Sequence, residues 1–335
     1  MIITKVPFRI SFFGGGTDYK PFFDEHGGSV LSTTFNKYVY TSVRHCPPYF
    51  DYHTQVKYAK TESVRKTEEL EHPLVRNCMI FAGMHNLSVI YDADLPARSG
   101  LGSSSSFAVG LLQAMYSMQG KFVSKEILAR DSIYVERELC AESGGWQDQV
   151  AVAYGGFNRI DFSASGFSVQ PVIISNAKKR ELQDSLILFF TGISRNSGRI
   201  ATSQVGAIKS KTGELLEMKK LVNDAERILT SQTDISEFGR LLDYNWKLKR
   251  GITHEISNDY VDGLYDKAKK AGVLGGKLLG AGGGGFLLLF AEPDRHEAII
   301  KELRNLIRVP IVFEEDGAKV IHYAPEEFIE RCGRQ

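Results

Sequence analysis

Apolar residues along this chain follow two different spacings, one typical of strands and the other typical of helices. Val89, Tyr91 and Ala93 alternate with polar residues, as in a strand with one buried face. Downstream, apolar residues recur every three or four positions, as on one face of a helix: Phe107, Leu111, Met115 and Met118. The chain therefore passes from a strand, through a turn rich in glycine and serine, into a helix.

The same two spacings predict elements along the rest of the chain. We expect strands over 29–45, 49–59, 157–162, 186–190, 286–290, 310–314 and 319–323, and helices over 107–118, 124–142, 212–230, 234–250, 259–271 and 294–307. This mixture, without an internal repeat, is typical of an α+β protein. The polar segment 176–181, followed by the apolar run 186–190, predicts one domain over 1–180 and a second over 181–335.

Composition and charge narrow the class of protein. The chain has 335 residues, 43% of them hydrophobic and 24% charged, as in an ordinary globular protein. Its 41 basic and 40 acidic residues give a net charge of +1, so we expect neither nucleic acid nor a membrane surface as a partner. The four cysteines lack metal-binding spacing, which suits a reducing cytoplasm. The sequence does not indicate the oligomeric state.

Segment 95–110 reads Leu-Pro-Ala-Arg-Ser-Gly-Leu-Gly-Ser-Ser-Ser-Ser-Phe-Ala-Val-Gly and enters the predicted helix. The first N–H groups of a helix lack intrahelical partners and carry partial positive charge, so they bind phosphate without a lysine or arginine. Gly100 and Gly102 allow the backbone to approach a polyphosphate, and the hydroxyls of 103–106 can contact phosphate or Mg²⁺. Four serines exceed the needs of a simple helix cap. The chain lacks the P-loop pattern GxxxxGK[ST].

A second cluster of glycines lies near the C-terminal end of the sequence. Gly280, Gly282 and Gly285 satisfy GxGxxG, the fingerprint of dinucleotide-binding proteins. That fingerprint must open a helix, whereas the apolar run 286–290 directly after these glycines is typical of a buried strand. The sequence therefore argues against a dinucleotide oxidoreductase.

Three segments, in order, resemble the motifs of the GHMP kinases. The first motif is similar to segment 7–19, which reads Pro-Phe-Arg-Ile-Ser-Phe-Phe-Gly-Gly-Gly-Thr-Asp-Tyr. The second motif, the ATP loop, is similar to segment 95–110. The third is similar to segment 277–286, which reads Lys-Leu-Leu-Gly-Ala-Gly-Gly-Gly-Gly-Phe. The resemblance implies a ribosomal S5-like N-terminal domain and a ferredoxin-like C-terminal domain, with the active site between them. It also implies phosphoryl transfer from ATP, with Mg²⁺ as cofactor.

The resemblance also implies where ATP and the metal bind. The ATP-binding residues expected from it are Ser99, Gly100, Leu101, Gly102, Ser103, Ser104 and Ser105 in the first loop, with Gly282 and Gly283 in the second. Glu136 matches the position of the family's Mg²⁺ carboxylate, with Ser104 as the second ligand and Ser105 as the alternative. One or two protein ligands are enough for Mg²⁺ bound to phosphates.

Asp148 and Arg9 are the catalytic residues that the resemblance implies. The segment Gly-Gly-Trp-Gln-Asp-Gln over 144–149 is similar to Gly-Ile-Met-Asp-Gln of galactokinases, in which the aspartate is the proposed base. Arg9 matches an arginine placed to stabilise that carboxylate. Whether Asp148 removes a proton or only orients the acceptor hydroxyl stays open at this point.

The acceptor is expected to contact the first motif and the loop before Asp148. The residues concerned are Gly14, Gly15, Gly16, Thr17, Asp18, Gly144 and Gly145, with the carboxylate of Asp18 suited to sugar hydroxyls. Galactokinases have Glu-His where this chain has Gly15-Gly16. A glutamate at this position would repel a phosphate. Its replacement by glycine removes this negative charge and opens room for a larger or anionic acceptor.

Within the family, the chain is most similar to the D-glycero-D-manno-heptose 7-phosphate kinases. The likeness lies in Gly-Gly-Gly-Thr-Asp, Gly-Gly-Trp-Gln-Asp-Gln and Thr-Gly-Ile-Ser-Arg-Asn over 191–196. It implies phosphorylation of the anomeric hydroxyl to the 1,7-bisphosphate used for GDP-heptose and surface glycans. Because an anionic acceptor needs a fixed cation, we expect Arg195, together with Lys249 or Arg250, to hold the 7-phosphate. The alternatives are a fucokinase-like or galactokinase-like enzyme, or a regulator of the same fold without catalytic activity.

Overall fold

A computed structural model describes residues 1–97, 99–193 and 197–325. The first sheet contains β1 (Ile2–Phe13), β2 (Gly28–His45), β3 (Thr54–Lys57), β4 (Thr61–Val64), β5 (Leu87–Ala93), β6 (Phe157–Ser163), β7 (Gly166–Pro171), β12 (Phe313–Glu314) and β13 (Lys319–Tyr323). Its main order is β13-β1-β2-β5-β3-β4; β6 and β12 also pair with β2, and β7 pairs with β6. The β3–β5 pair is parallel, whereas the other pairs are antiparallel.

The second sheet is antiparallel and contains β8 (Leu186–Phe190), β9 (Gly275–Leu278), β10 (Phe286–Phe290) and β11 (Ile307–Val309), in the order β11-β8-β10-β9. Neighbouring residues of β8 point to different clusters of buried side chains: Leu186 and Leu188 to one, Ile187 and Phe189 to the other. The strand is therefore buried on both faces. This explains why its sequence is a continuous apolar run rather than an alternating one.

The helices are α1 (Lys20–His26), α2 (Pro73–Phe81), α3 (Ser103–Met118), α4 (Lys125–Tyr134), α5 (Gln147–Tyr154), α6 (Asn176–Asp184), α7 (Ser197–Ala207), α8 (Thr212–Thr230), α9 (Ser236–Arg250), α10 (Asp259–Lys270) and α11 (His296–Glu302). Short 3₁₀ turns lie at 67–69, 208–211 and 293–295, and a π-helical turn at Val135–Leu139 continues α4. None of the described helices has the length and apolar character needed to cross a membrane. The α+β prediction is confirmed.

Several predicted boundaries were wrong, each for a local reason. The helix predicted over 124–142 is α4 followed by the π-helical turn, and it ends before 140. The strand predicted over 49–59 starts only at Thr54, because a turn follows Pro47 and Pro48. The helix predicted over 294–307 ends at Glu302, and a strand that was not predicted, β11, follows it at Ile307–Val309. Of the strand predicted over 310–314, only Phe313–Glu314 is extended, because Pro310 has no backbone N–H to donate to a sheet.

Some helical residues lie where the sequence analysis predicted no helix. The polar segment 176–181 forms most of α6, whose Ser175 side chain caps the helix by accepting a hydrogen bond from the Lys178 amide at 3.1 Å. Helix α3 begins at Ser103, one turn earlier than predicted. The domain division at 180 and 181 stays a prediction, and the strands over 313–323 pair with the first sheet.

The two sheets share one aromatic contact region. Phe12 of β1 packs edge-on against Phe238 of α9, with ring centroids 5.4 Å apart. Phe238 in turn packs against Phe290 of β10 at 6.2 Å. All three rings are buried, so this row of aromatic side chains joins the first sheet to the second through α9.

Two glycine loops bring the halves of the chain into direct backbone contact. A Cβ built on Gly280 would lie 2.5 Å from the Cα of Gly100, and one built on Gly100 would lie 2.3 Å from the carbonyl oxygen of Leu279. Both glycines also have positive φ angles, +86° for Gly100 and +78° for Gly280. No other residue fits this contact without displacing backbone.

This contact predicts that Gly280→Ala destabilises the protein by about 2 to 4 kcal/mol, through overpacking and the strained φ angle. Gly263→Ala is the matched control, because Gly263 lies within α10 and its Cβ would meet nothing within 4 Å. The control should gain about 1 kcal/mol from better helix propensity. Urea denaturation measures both variants, and equal stability of the two would contradict the close contact.

Candidate active site

A cavity of about 610 Å³ brings together residues that are far apart in the sequence. Its walls come from β1, the loop after β1, the start of α3, the π-helical turn, the start of α5, α7, α9 and the second glycine loop. Thirteen of the residues predicted for the site line it: Arg9, Gly16, Asp18, Gly100, Gly102, Ser103, Ser104, Ser105, Glu136, Gly144, Gly145, Asp148 and Lys249.

The start of α3 presents its backbone amides to this cavity. The first helical hydrogen bond runs from the Ser106 amide to the Gly102 carbonyl at 2.8 Å, so the amides of 103–105 lie in the first turn, before the regular hydrogen bonds of the helix begin. The side chain of Ser104 is exposed, while those of Ser103 and Ser105 are buried. This end of the helix can therefore bind an anion through backbone N–H groups and one accessible hydroxyl.

Ser99 and Leu101 support this loop from behind. Both are fully buried; the Ser99 hydroxyl donates to the Pro96 carbonyl at 2.6 Å, and Leu101 packs in the core. In the second loop, the Gly283 amide donates to the carbonyl of Ile256 at 2.7 Å, and Gly282 packs against Ile256. Neither Gly282 nor Gly283 lines the cavity, where Gly280 and Ala281 lie instead.

Arg9 and Asp148 form a bidentate ion pair at the base of the cavity. Nε of Arg9 donates to Oδ1 of Asp148 at 2.7 Å, and Nη2 donates to Oδ2 at 2.8 Å. The remaining Nη1 donates to the carbonyl of Gly100 at 2.8 Å. Arg9 is buried, whereas the side chain of Asp148 is 25% exposed. The carboxylate is thus fixed in orientation and still accessible from the cavity.

Asp148 lies in the first turn of α5, directly after the loop that carries Gly144 and Gly145. The loop ends at Trp146, whose backbone amide donates to the Asp18 carbonyl at 3.0 Å. The partial positive charge at the start of a helix favours a carboxylate at this position.

Ser104 and Glu136 form a second polar pair in the cavity wall. The Ser104 hydroxyl donates to Oε1 of Glu136 at 2.8 Å, and the amide of Gln149 donates to Oε2. Glu136 is buried and lies in the π-helical turn, a feature often found at functional sites. A hydroxyl and a carboxylate that converge in this way are oxygen ligands of the type that Mg²⁺ prefers, and Gln149 would orient the carboxylate.

Asp18 is buried beside Gly145, near the carboxylate of Asp148. Its carboxylate accepts hydrogen bonds from the amides of Gly16 at 2.9 Å and Gln147 at 3.3 Å. Burial raises the pKa of Asp18 above its ordinary value, the Gly16 amide opposes this rise, and the nearby charge of Asp148 adds to it. A Cβ on Gly145 would lie 1.8 Å from Oδ2 of Asp18, so only glycine leaves this space.

The other residues of the first motif shape the loop. The hydroxyl of Thr17 lies within hydrogen-bond distance of two carbonyl oxygens, those of Gly14 at 2.8 Å and Ser29 at 2.9 Å, and Thr17 is fully buried. A Cβ on Gly14 would lie 1.9 Å from the Ser29 carbonyl oxygen. A Cβ on Gly15 would lie at an ordinary contact distance of 3.6 Å from Lys249 Nζ, and Gly15 does not line the cavity.

The three basic residues predicted to hold an acceptor phosphate have different positions. Arg195 lies outside the described residues. Lys249 lines the cavity and donates to the Gly280 carbonyl at 2.8 Å. Arg250 is paired with Asp262 at 2.8 Å and does not line the cavity, so the structure does not bring it to the site.

Sequence reasoning missed several residues that lie at or near the cavity, among them a tyrosine, an arginine and a lysine. Tyr19 and Arg137 line it directly, next to residues that the motifs had indicated. Lys277 lies in the third motif, is buried, and donates to the Phe12 carbonyl at 2.9 Å. The adjacency of Arg137 to Glu136 was the one available signal, whereas the environment of Lys277 depends on long-range packing.

Two family models match the chain: "GHMP kinases N terminal domain" over residues 67–156 and "GHMP kinases C terminal" over 221–308. The chain is 28% identical to the D-glycero-alpha-D-manno-heptose 7-phosphate kinase of Campylobacter jejuni, over 91% of this chain and 93% of that protein. It is 27% identical to the bifunctional fucokinase/GDP-fucose pyrophosphorylase of Arabidopsis thaliana, over 92% of this chain but 31% of that protein.

The fold is also similar to that of a heptose kinase of known structure. The chain is 25% identical to a D-glycero-D-manno-heptose 1-phosphate kinase from Bacteroides thetaiotaomicron, with a TM-score of 0.79 and coverage of 96% of this chain and 99% of that one. The names of these two heptose kinases place the phosphate of the acceptor differently, at position 7 in one and at position 1 in the other.

Lys277 predicts a pH dependence of stability. Burial holds its pKa well below the ordinary 10.5, and the charges of Lys249 and Arg9 lower it further. Between the lowered pKa and 10.5 the unfolded chain binds a proton that the folded chain does not, so stability rises with pH over this interval. Lys277→Met removes the titrating group and with it this pH dependence. The free energy of unfolding of the variant minus that of the parent should therefore be greatest at neutral pH and decrease toward pH 10.5.

Chemical denaturation of both proteins at several pH values up to 10.5 measures the difference. The exposed Lys267→Met is the control and should follow the parent at every pH. Parallel stability curves for Lys277→Met and the parent would contradict the lowered pKa.

Proposed function

This chain belongs to the GHMP kinase family and is a sugar kinase, and we propose that it transfers the γ-phosphoryl group of Mg-ATP to the anomeric hydroxyl of D-glycero-D-manno-heptose 7-phosphate. The product would be the 1,7-bisphosphate, a precursor of GDP-heptose for surface glycans. The observation that carries the proposal is the Arg9–Asp148 pair, which lies between the helix start that suits phosphate and the buried Asp18 that suits a sugar. We also infer a cytoplasmic location.

In this proposal the phosphates of ATP lie at the amides of 103–105, below the second glycine loop. The acceptor hydroxyl donates a hydrogen bond to Asp148, while Asp18 accepts from other hydroxyls of the sugar. The oxygen of the acceptor then bonds to the γ-phosphorus, the bond to the bridging oxygen of ADP breaks, and the hydroxyl proton passes to Asp148. Arg9 keeps the carboxylate in place throughout, because both oxygens of Asp148 are bonded to its guanidinium.

Ser104 and Glu136 would hold Mg²⁺, which supplies charge neutralisation on the phosphates. The 2.8 Å contact between the Ser104 hydroxyl and Oε1 of Glu136 supports this assignment, since both oxygens face the same point of the cavity wall. Gln149 holds the second carboxylate oxygen, as a residue in an outer shell does for a metal ligand.

The acceptor is tested by ADP release from Mg-ATP with D-glycero-D-manno-heptose 7-phosphate, mannose 6-phosphate, galactose and fucose. We expect turnover with the heptose phosphate and a loss of about 10²- to 10⁴-fold in kcat for Asp148→Asn, the usual range for a general base. Asp266→Asn, an exposed aspartate of α10, is the control and should keep full activity. Turnover only with a free sugar would favour the fucokinase-like or galactokinase-like alternative.

The metal site predicts that Glu136→Gln raises the Mg²⁺ concentration for half-maximal rate by at least about 10- to 100-fold, because loss of an outer-shell partner already has an effect of this size and Glu136 is a direct ligand. Glu138→Gln is the matched control, because Glu138 is an exposed carboxylate of the same π-helical turn. Rates at a series of Mg²⁺ concentrations measure both. An unchanged Mg²⁺ requirement in Glu136→Gln would rule out this carboxylate as a ligand.

A further inference from the structure

We propose that the guanidinium of Arg137 binds the phosphate group that the acceptor sugar already carries. The inference rests on the proposed function and adds the residue that distinguishes a sugar phosphate from a free sugar. It starts from the charges in the cavity, which contains the basic side chains of Arg9, Arg137, Arg199 and Lys249 among its described lining residues.

Three of these side chains already have protein partners. Arg9 is bonded to Asp148 and to the Gly100 carbonyl, and Lys249 donates to the Gly280 carbonyl. Arg199 is paired with Glu255 at 3.2 Å, and its side chain is 80% exposed. The N–H donors of Arg9 and Lys249 thus contact other parts of the protein, whereas Arg199 is largely in solvent.

Arg137 is different, because it forms no ion pair with any carboxylate of the described residues. Its Nη1 donates to the Glu142 carbonyl at 2.9 Å. Its Nε is buried and has no hydrogen-bond partner within the part of the chain that the structure describes. A guanidinium has five N–H donors arranged as a fork that matches phosphate oxygens, so Arg137 retains donors for an anionic ligand.

Arg137 contacts a different part of the cavity wall from Glu136, the proposed Mg²⁺ ligand. Glu136 and Arg137 are consecutive in the π-helical turn, where Glu136 contacts Ser104 and Arg137 lies next to the loop 142–145. Burial raises the pKa of Tyr19, the charge of Asp18 adds to this rise, and the charge of Arg137 opposes it. The guanidinium is therefore near Tyr19, the residue after Asp18, on the side of the cavity that we assign to the acceptor.

The two adjacent glycines explain how both charged groups reach this wall. A Cβ on Gly144 would lie 2.7 Å from Nη1 of Arg137, and a Cβ on Gly145 would lie 1.8 Å from Oδ2 of Asp18. The glycine pair thus gives room to a cation at one residue and to a carboxylate at the next. A ligand with hydroxyls at one end and a phosphate at the other matches this order of charges.

The loop that carries the glycine pair is also tied to the second half of the chain. The Thr202 hydroxyl of α7 donates to the Ser143 hydroxyl at 2.8 Å. Gly198, Arg199 and Thr202 line the cavity on this side. Arg137 is half-buried in the opposite wall, where a charge-assisted hydrogen bond is stronger than in open solvent.

The test compares kcat and KM of the parent, Arg137→Ala and Arg137→Lys with heptose 7-phosphate and with the same heptose without its phosphate. For Arg137→Ala we expect KM for the phosphorylated sugar to rise about 10- to 100-fold, as for loss of hydrogen bonds to a charged group. The KM for ATP and kcat/KM for the free heptose should stay unchanged, and Arg137→Lys should recover part of the loss. A role only in folding would change all of these constants together.

Arg130→Ala is the control for loss of a positive charge, because Arg130 is an exposed residue of α4 that pairs with Glu126. Arg195→Ala tests the residue that the sequence had indicated for the same role. If the parent phosphorylates the heptose phosphate but Arg137→Ala keeps its KM, the Arg137 proposal is wrong and the proposed function stands. If the parent acts only on free sugars, or on none, both proposals are overturned.

Discussion

The cavity is organised around one buried guanidinium, that of Arg9. A buried charge must be paired and hydrogen-bonded, and Arg9 meets this requirement with both oxygens of Asp148 and the carbonyl of Gly100. These bonds set the first turn of α5 and the first glycine loop relative to β1. Since Gly100 also lies against Gly280, the same contacts fix the second glycine loop, and both halves of the chain meet at the cavity.

The groups that would bind phosphate, metal and sugar lie at different places in the cavity, an arrangement that suits phosphoryl transfer. The helix start at 103–105 offers backbone amides to phosphate, and Glu136 lies beside it with Ser104. Asp148 is held between this region and Asp18, whose surroundings suit a sugar. Positioning and fixed electrostatics supply most of the catalysis in such reactions, which require little covalent chemistry from the protein. The rigid contacts of Arg9 and of the glycine loops provide this positioning.

The sequence predicted those features that depend on neighbouring residues. Helix α8 and the strands β8 and β10 were confirmed at the predicted bounds, because their apolar patterns are long or continuous. The π-helical turn at Val135–Leu139 was not predicted, since its pattern continues that of α4. The motifs located most of the cavity wall. Arg137 and Lys277 were missed because their surroundings arise from segments that meet only in the folded chain.

The central claim is that one cavity holds the donor phosphate and the acceptor hydroxyl on either side of Asp148. A crystal structure with a non-hydrolysable ATP analogue, Mg²⁺ and heptose 7-phosphate tests it most directly. The account predicts the terminal phosphate at the amides of 103–105. It also places the anomeric oxygen about 3 to 3.5 Å from the terminal phosphorus, in a hydrogen bond to Asp148. A sugar bound outside this cavity, or with its anomeric oxygen turned away from Asp148, would contradict the account.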